Sequence, residues 1–137
     1  MRRLAFLLAC VFVCFFAAAS DADDRCSALS DALIAGDFSR AEDLANELYV
    51  GKSNCSAANL ADLAIAYHML AEKASDAVSR YDFVLKTIDS YRSAAKKDAA
   101  EASARFKEKG TDMAAVVADY EANLGEYQKA VADSMNF

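Results

Sequence analysis

The chain has 137 residues and a formal net charge of −6, and it contains neither proline nor tryptophan. Its length allows one small domain, and its acidity argues against nucleic acid and anionic membrane surfaces as partners, because both repel a negatively charged protein. Alanine, leucine, glutamate and lysine are common, which favours helix. No alternating strand pattern occurs beyond residue 20, so we expect a single all-α domain over residues 21–137.

The first twenty residues have the pattern of a secretory signal peptide. Two arginines precede a sixteen-residue apolar segment that ends in small residues, and an acidic stretch follows. This order is typical of export signals, and the apolar segment falls short of the about 20 residues that span a bilayer. We predict a signal peptide over 1–20, cleaved after Ala19 or Ser20, with Ala22 as a lesser choice. The remaining chain would be periplasmic or secreted, without membrane insertion, and its net charge would be −8, since two arginines are lost from a chain of −6.

Cys10 offers an alternative, a lipoprotein anchor. The residues Leu7–Cys10 resemble a lipobox. The apolar run before Cys10 is short, however, and residues 11–19 are too apolar for the N-terminus of a mature lipoprotein. We therefore favour cleavage beyond this segment.

Two cysteines, Cys26 and Cys55, remain after the predicted cleavage. An even pair in an exported chain indicates one disulfide. It would close a loop of about 30 residues and stabilise the fold by roughly 3 kcal/mol. Two reactive or metal-binding thiols are the alternative, which we disfavour because the sole histidine, His68, is distant in sequence and no CxxC spacing occurs.

Three helices are predicted in the first half of the domain. The first covers 24–35 and ends at Gly36, a residue type common just past helix ends. A capping box, Ser39–Glu42, begins the second helix, which runs to about Tyr49. The third helix spans 56–73 and places leucine, alanine and tyrosine on one face.

The fourth helix begins at Asp76. Its apolar stripe is dense as far as Tyr91 and thin beyond, where alanine, lysine and glutamate dominate. The helix therefore either continues to Lys109 or breaks near Asp89 and Ser90. Its second half should project or pack weakly.

The C-terminal helix is predicted from Asp112 to Met135, after a turn at Gly110. Apolar residues recur every three or four positions along it, which is typical of a packing seam. Gly125 either divides this helix or is a weak point of about 1 kcal/mol. Residues 89–137 thus comprise the rest of the long helix and a C-terminal helix. The predicted domain has about five helices in all.

Short turns make successive helices antiparallel, so we expect an up-down order in which the first and third helices run in the same direction. Cys26 and Cys55 stand at the starts of these two helices. The helix order and the predicted disulfide therefore agree.

Residues 26–88 resemble tetratricopeptide repeats, a family of helix-turn-helix units of about 34 residues that stack through large and small residues at set places. The matching positions are Leu60, Leu63, Ala64 and Tyr67 in the third helix, Ala77, Tyr81 and Val84 in the fourth, and the segments Gly36–Ala41 and Gly125–Ala130. The resemblance implies repeat-like hairpins, protein or peptide binding on a concave face, and no catalysis. A plain helical bundle is the alternative.

The predicted mature chain lacks any recognisable catalytic, cofactor-binding or metal-binding motif. Its glycines are scattered singly, its acidic residues lack the spacing of a calcium loop, and a lone histidine makes a weak acid–base candidate. We expect no enzyme and no cofactor. Tyr49, at a helix end, and His68 are the candidate partner-binding residues, since tyrosine is favoured at recognition surfaces.

The sequence therefore predicts a small exported helical adaptor that binds a protein or peptide. A self-associating structural or assembly component of the cell envelope, joined through the long helix and the seam from Met113 to Val131, is one alternative. A toxin-immunity or inhibitor protein is another.

Overall fold

The structure, a computed structural model, describes residues 21–136. This part of the chain is helical and contains no strand, which confirms the all-α prediction. The helices are α1 (residues 21–35), α2 (Phe38–Val50), α3 (Ala57–Lys73), α4 (Ala77–Glu108), α5 (Met113–Ala122) and α6 (Leu124–Met135), with a 3-10 turn at Lys52–Asn54. The predicted signal peptide, with Cys10, lies outside the described residues.

Short polar side chains begin four of the helices. Asp37, Ser56, Asp76 and Asp112 each accept a hydrogen bond from the backbone amide three residues later, which satisfies one of the free amides at a helix start. The predicted capping box at Ser39–Glu42 was wrong, because α2 begins earlier, with Asp37 as its cap. Gly36 has a φ of 76°, and this left-handed conformation turns the chain from α1 directly into that cap.

The long helix α4 is interrupted at Asp98, which has the extended angles φ −162° and ψ 99°. The side chain of Asp98 accepts a hydrogen bond from the Glu101 amide at 3.1 Å, so it caps the second segment as a new helix start. Near the predicted break, by contrast, Ser90 is fully buried inside continuous helix. Ala102 and Phe106, beyond the kink, are buried in the core, whereas the second half of the helix was expected to project or pack weakly.

The predicted last helix is divided at Asn123 into α5 and α6. The Asn123 side-chain amide donates to the Asp119 carbonyl at 2.8 Å, which closes the end of α5. Gly125 lies inside α6 and does not cause the break. The described chain therefore has six helices, one more than predicted.

The core is centred on α3. Twelve of its seventeen residues are buried, as expected for a helix that is apolar nearly all round. The ring of Tyr67 is fully buried between Tyr49 and Phe83, and its hydroxyl donates to Asn46 at 2.8 Å. The core thins toward the C-terminus, where α6 has no buried residue.

The predicted disulfide between Cys26 and Cys55 is not formed in the structure, where both are buried free thiols. Each sulfur points to a different backbone carbonyl: Cys26 Sγ donates to Asn59 at 4.0 Å and Cys55 Sγ to Gly51 at 3.9 Å. Cys26 Sγ therefore lies near the start of α3, the helix that Cys55 precedes by two residues.

Candidate functional site

Two adjoining clefts form one groove along α1, α3 and the end of α4. One cleft has a volume of about 570 Å³ and the other of about 300 Å³. Both are lined by Ser30, Ile34, Asp62 and Lys109, so they meet at these four residues. We call this continuous depression the α1–α3 groove.

The larger cleft is the polar end of the groove. Asp23 of α1 accepts a hydrogen bond from the Asn59 side chain of α3 at 2.7 Å. Arg105 of α4 pairs with Asp62 of α3 at 3.1 Å. These two contacts join the start of α1 and the end of α4 to the same stretch of α3.

Asp62 is the most unusual residue of the groove. Its side chain is only 9 % exposed, and its Oδ2 is bound by Arg105. Its Oδ1 is buried without a hydrogen-bond partner among the residues that the structure describes. An unpartnered buried polar atom lowers the stability of the fold by about 1–3 kcal/mol. The position of Oδ1 therefore requires an explanation, and ligand binding is one.

Burial also raises the pKa of Asp62, while the positive charges of Arg105 and Lys109 oppose this rise. The carboxylate is thus poorly solvated, and the cations around it only partly compensate. Such a perturbed group in a cleft is a candidate for ligand recognition.

The smaller cleft is the apolar end. Leu33 and Ile34 of α1 face Ile65 and Met69 of α3 across it. Ile34 is 86 % exposed and lies where the two ends meet. A concave apolar surface with a few fixed polar groups is the usual form of a ligand site.

The groove lies between the acidic helices α1 and α2 and the basic end of α4, where residues 96–109 have five cations against three carboxylates. Residues 21–50, which form α1 and α2, contain eight carboxylates and two arginines, a net charge of −6. The groove itself is lined by three aspartates, Asp23, Asp31 and Asp62, against Arg105 and Lys109. The electrostatic field at the groove therefore favours a cationic partner.

Cys26 lies in the polar end of the groove, where its surroundings disfavour the reactive thiolate form. Burial, followed by the negative charges of Asp62, Cys55 and Asp23, raises its pKa to about 12. The thiol is therefore protonated at neutral pH, and only a thiolate reacts readily.

Tyr49, a predicted partner-binding residue, is engaged inside the molecule and does not line the groove. Its hydroxyl donates to Asp89 at 2.7 Å, and Lys52 binds the same carboxylate oxygen. The ammonium groups of Lys52 and Lys86 lie 4.8 and 5.5 Å from the centre of its ring. Burial and the hydrogen bond to Asp89 raise the pKa of Tyr49 to about 12.

His68, the other candidate, links α3 to α5. Its Nδ1 lies 2.5 Å from the Tyr120 hydroxyl, and its Nε2 lies 3.3 Å from Glu72. Both ring nitrogens thus have partners within the protein. The structure does not bring His68 into the α1–α3 groove.

Sequence reasoning missed Asp62, Arg105 and Lys109. A signal was present, because Asp62 is the only charged residue of α3 before Glu72, in a helix that is apolar nearly all round. A charged residue in such a helix is buried and requires a partner. The sequence does not say which helix supplies it.

A further cleft of about 530 Å³ lies between the second half of α4 and the start of α5, and it shares only Thr111 with the apolar end of the groove. Ala95, Ala99 and Ala102 form one wall, and Phe106 and Met113 close it. Asp62 Oδ1 and Ser90 Oγ are the unpartnered buried side-chain atoms of the described chain, and neither residue lines this cleft. We call it the α4–α5 cleft.

Within residues 21–136, no three metal-ligating side chains come together in an arrangement that could hold an ion. None of the helices in this range is both long enough and apolar enough to cross a membrane. The chain matches no protein-family model, no curated protein and no solved structure.

Proposed function

We propose that the protein is an exported helical adaptor, without catalytic activity, that holds a segment of a protein or peptide in the α1–α3 groove. The observation that carries the proposal is the continuity of an apolar cleft with a charged one at Asp62 and Ile34. A side chain with an apolar stem and a polar end could occupy both parts at once. The resemblance to tetratricopeptide repeats carries the same expectation of binding on a concave face.

An up-down order of repeat-like hairpins is part of this proposal. Residues near the start of α1 and α3 are neighbours through Asp23 and Asn59. Farther along both helices, Leu33 of α1 and Met69 of α3 line the same cleft. Both contacts support α1 and α3 running in the same direction.

Export is the second part of the proposal. The order of basic, apolar and small residues in the first twenty positions supports it. In an oxidising compartment, Cys26 and Cys55 would close the predicted disulfide. The contact of Cys26 Sγ with the Asn59 carbonyl at 4.0 Å, four residues after Cys55, supports that pairing.

Self-association is a second candidate function. It is favoured by the α4–α5 cleft and by the exposure of α6, whose Met135 is 69 % exposed. A copy of the chain seated there would give the envelope component considered above. An inhibitor of a basic toxin would be a special case of the adaptor, supported by the acidity of residues 21–50.

Selection of peptides from a random display library on the predicted mature protein, residues 21–137, tests the adaptor. Ile34→Ser removes an exposed apolar side chain from the groove, and Val50→Ser removes an equally exposed one outside it. We expect selected peptides to bind the Ile34→Ser variant about tenfold more weakly and the Val50→Ser variant as well as the unmodified protein.

Two outcomes would contradict the adaptor. One is a selection that enriches no peptide, and the other is an equal effect of the two substitutions. Light scattering over a range of concentrations separates the second candidate, because self-association makes the apparent mass rise with concentration.

A further inference from the structure

The two carboxylate oxygens of Asp62 have different surroundings. Oδ2 accepts from Arg105 at 3.1 Å, whereas Oδ1 is buried without a partner in the part of the chain that the structure describes. An ionised carboxylate has about four acceptor sites on its two oxygens. Asp62 therefore retains capacity for a further donor.

Oδ1 is enclosed in the structure, but the terminal torsion of an aspartate is broad. Rotation of the carboxylate moves both oxygens together, so a ligand donor would compete with Arg105 for this group. Asp62 lines both ends of the groove. A donor from a ligand would thus approach at the centre of the groove.

The charged residues around Asp62 favour a cationic ligand group. Arg105 is held by Asp62 and also lies 3.7 Å from Glu108. Three aspartates line the polar end against two cations, and the adjacent α1–α2 segment has a net charge of −6. The lining of the polar end therefore has a net charge of −1, which favours an ammonium or guanidinium group over an anion.

The apolar end of the groove determines which apolar group of the ligand can lie beside the charged one. Leu33, Ile65 and Met69 line a cleft of about 300 Å³ directly beside Asp62. A space of this size accepts one aliphatic side chain or the methylene stem of a long basic one. The ligand therefore combines a positive charge with an adjoining aliphatic surface.

We propose that the α1–α3 groove recognises a peptide segment in which an arginine or lysine stands next to aliphatic residues, with the basic group bound by Asp62. This inference rests on the proposed adaptor function, of which it names the partner class. The acidic surface of α1 and α2 then supports the encounter with a basic partner.

The test uses three capped pentapeptides, titrated into residues 21–137 by calorimetry. One has arginine between leucines, one has citrulline in its place, and one has glutamate. Citrulline keeps the shape of arginine but carries no charge. We expect binding to weaken about tenfold with citrulline and further with glutamate, because a charge-assisted hydrogen bond is lost.

Asp62→Asn should weaken binding of the arginine peptide about tenfold. Asp43→Asn, which removes one exposed carboxylate of α2 outside the groove, should change binding by less than about twofold because solvent screens it. Arg105→Gln provides a second variant, should Asp62→Asn fold poorly. It frees the carboxylate from its internal partner and should strengthen binding of the arginine peptide.

Equal binding of the arginine and citrulline peptides would overturn this inference, as would equal effects of Asp62→Asn and Asp43→Asn. In either case, peptides from the library that still depend on Ile34 would leave the adaptor function standing. If neither the pentapeptides nor any library peptide bind, the adaptor function fails with the inference.

Discussion

At the scale of single residues, the groove depends on a carboxylate placed where most proteins place an apolar side chain. Asp62 follows Ala61 and precedes Leu63, both fully buried. Arg105 supplies a partner from another helix at 3.1 Å. A buried pair of this kind offers little net stability, because desolvation offsets the attraction.

The pH dependence of stability tests the environment of Asp62. Burial raises its pKa above the ordinary value of 3.8, so the folded state favours the neutral form. The neutral Asp62 side chain therefore makes its full contribution to the free energy of unfolding below pH 3.8. This contribution is lost as the pH rises through the folded-state pKa. Asparagine stays neutral at every pH, so the stability of Asp62→Asn relative to the unmodified protein should be higher at about pH 7 than at about pH 3.

Urea unfolding at both pH values measures this difference. In an Arg105→Gln background, burial acts on Asp62 with less opposition, and the relative gain from Asp62→Asn should be larger. A stability difference between Asp62→Asn and the unmodified protein that is the same at both pH values would contradict a raised pKa of Asp62.

Tyr49 is a second residue whose role the structure defines. Tyr49→Phe removes the hydroxyl that donates to Asp89 at 2.7 Å and keeps the ring. We expect the free energy of unfolding to fall by about 1 kcal/mol, the usual value of such a hydrogen bond. Thermal or urea unfolding provides the measurement.

Tyr91→Phe is the matched control, because the Tyr91 ring packs on Phe106 and its hydroxyl has no hydrogen-bond partner in the described chain. Its stability should change by less than about 0.5 kcal/mol. Equal losses in the two variants would show that the contact between Tyr49 and Asp89 contributes nothing.

At the scale of helices, the kink in α4 shows what a local pattern leaves open. The segment after Tyr91 is rich in alanine, lysine and glutamate, residues that continue a helix readily. No glycine or proline marks the break at Asp98. The kink accompanies the burial of Ala102 and Phe106, which depends on tertiary packing that residue propensities do not encode.

Asp98→Ala tests the cap at this kink. It removes the acceptor of the Glu101 amide, and the loss of such a cap costs about 1 kcal/mol. Asp98→Asn is the control, since asparagine caps helices nearly as well as aspartate. Denaturant unfolding should therefore rank alanine below asparagine, and the reverse order would argue against the cap.

The predicted disulfide between Cys26 and Cys55 would join the start of α1 to the start of α3. Under oxidising conditions, titration of the unfolded protein should find no free thiol, and the reduced protein should be less stable by roughly 3 kcal/mol. Cys55→Ser should lower the melting temperature of the oxidised protein toward that of the reduced one. Two free thiols after oxidation, or an unchanged melting temperature, would rule out the disulfide.

At the scale of the whole molecule, the fold class was predictable and the site was not. Composition and the 3.6-residue periodicity predicted an all-α chain, and the ends of α3 agree closely with those expected. The groove requires α1, α3 and the end of α4 to meet. That meeting places Asp62 beside Arg105, forty-three residues later, and no local pattern contains this information.

The candidate residues chosen from the sequence illustrate the same limit. Tyr49 and His68 were selected because their residue types and positions suit recognition. Tertiary contacts engage both of them, through Asp89 and Tyr120. Apart from Cys26, the residues that line the groove have no distinctive sequence pattern, because a leucine, a methionine or a lysine on a helix is ordinary until its neighbours are known.

The central claim is that a peptide segment binds in the α1–α3 groove, and mapping the bound peptide on the protein tests it most directly. In a titration of ¹⁵N-labelled residues 21–137 with the arginine pentapeptide, amide shifts should concentrate at Ile34, Asp62, Met69 and Lys109. Shifts that concentrate instead around Ala99 and Met113 in the α4–α5 cleft would contradict the account.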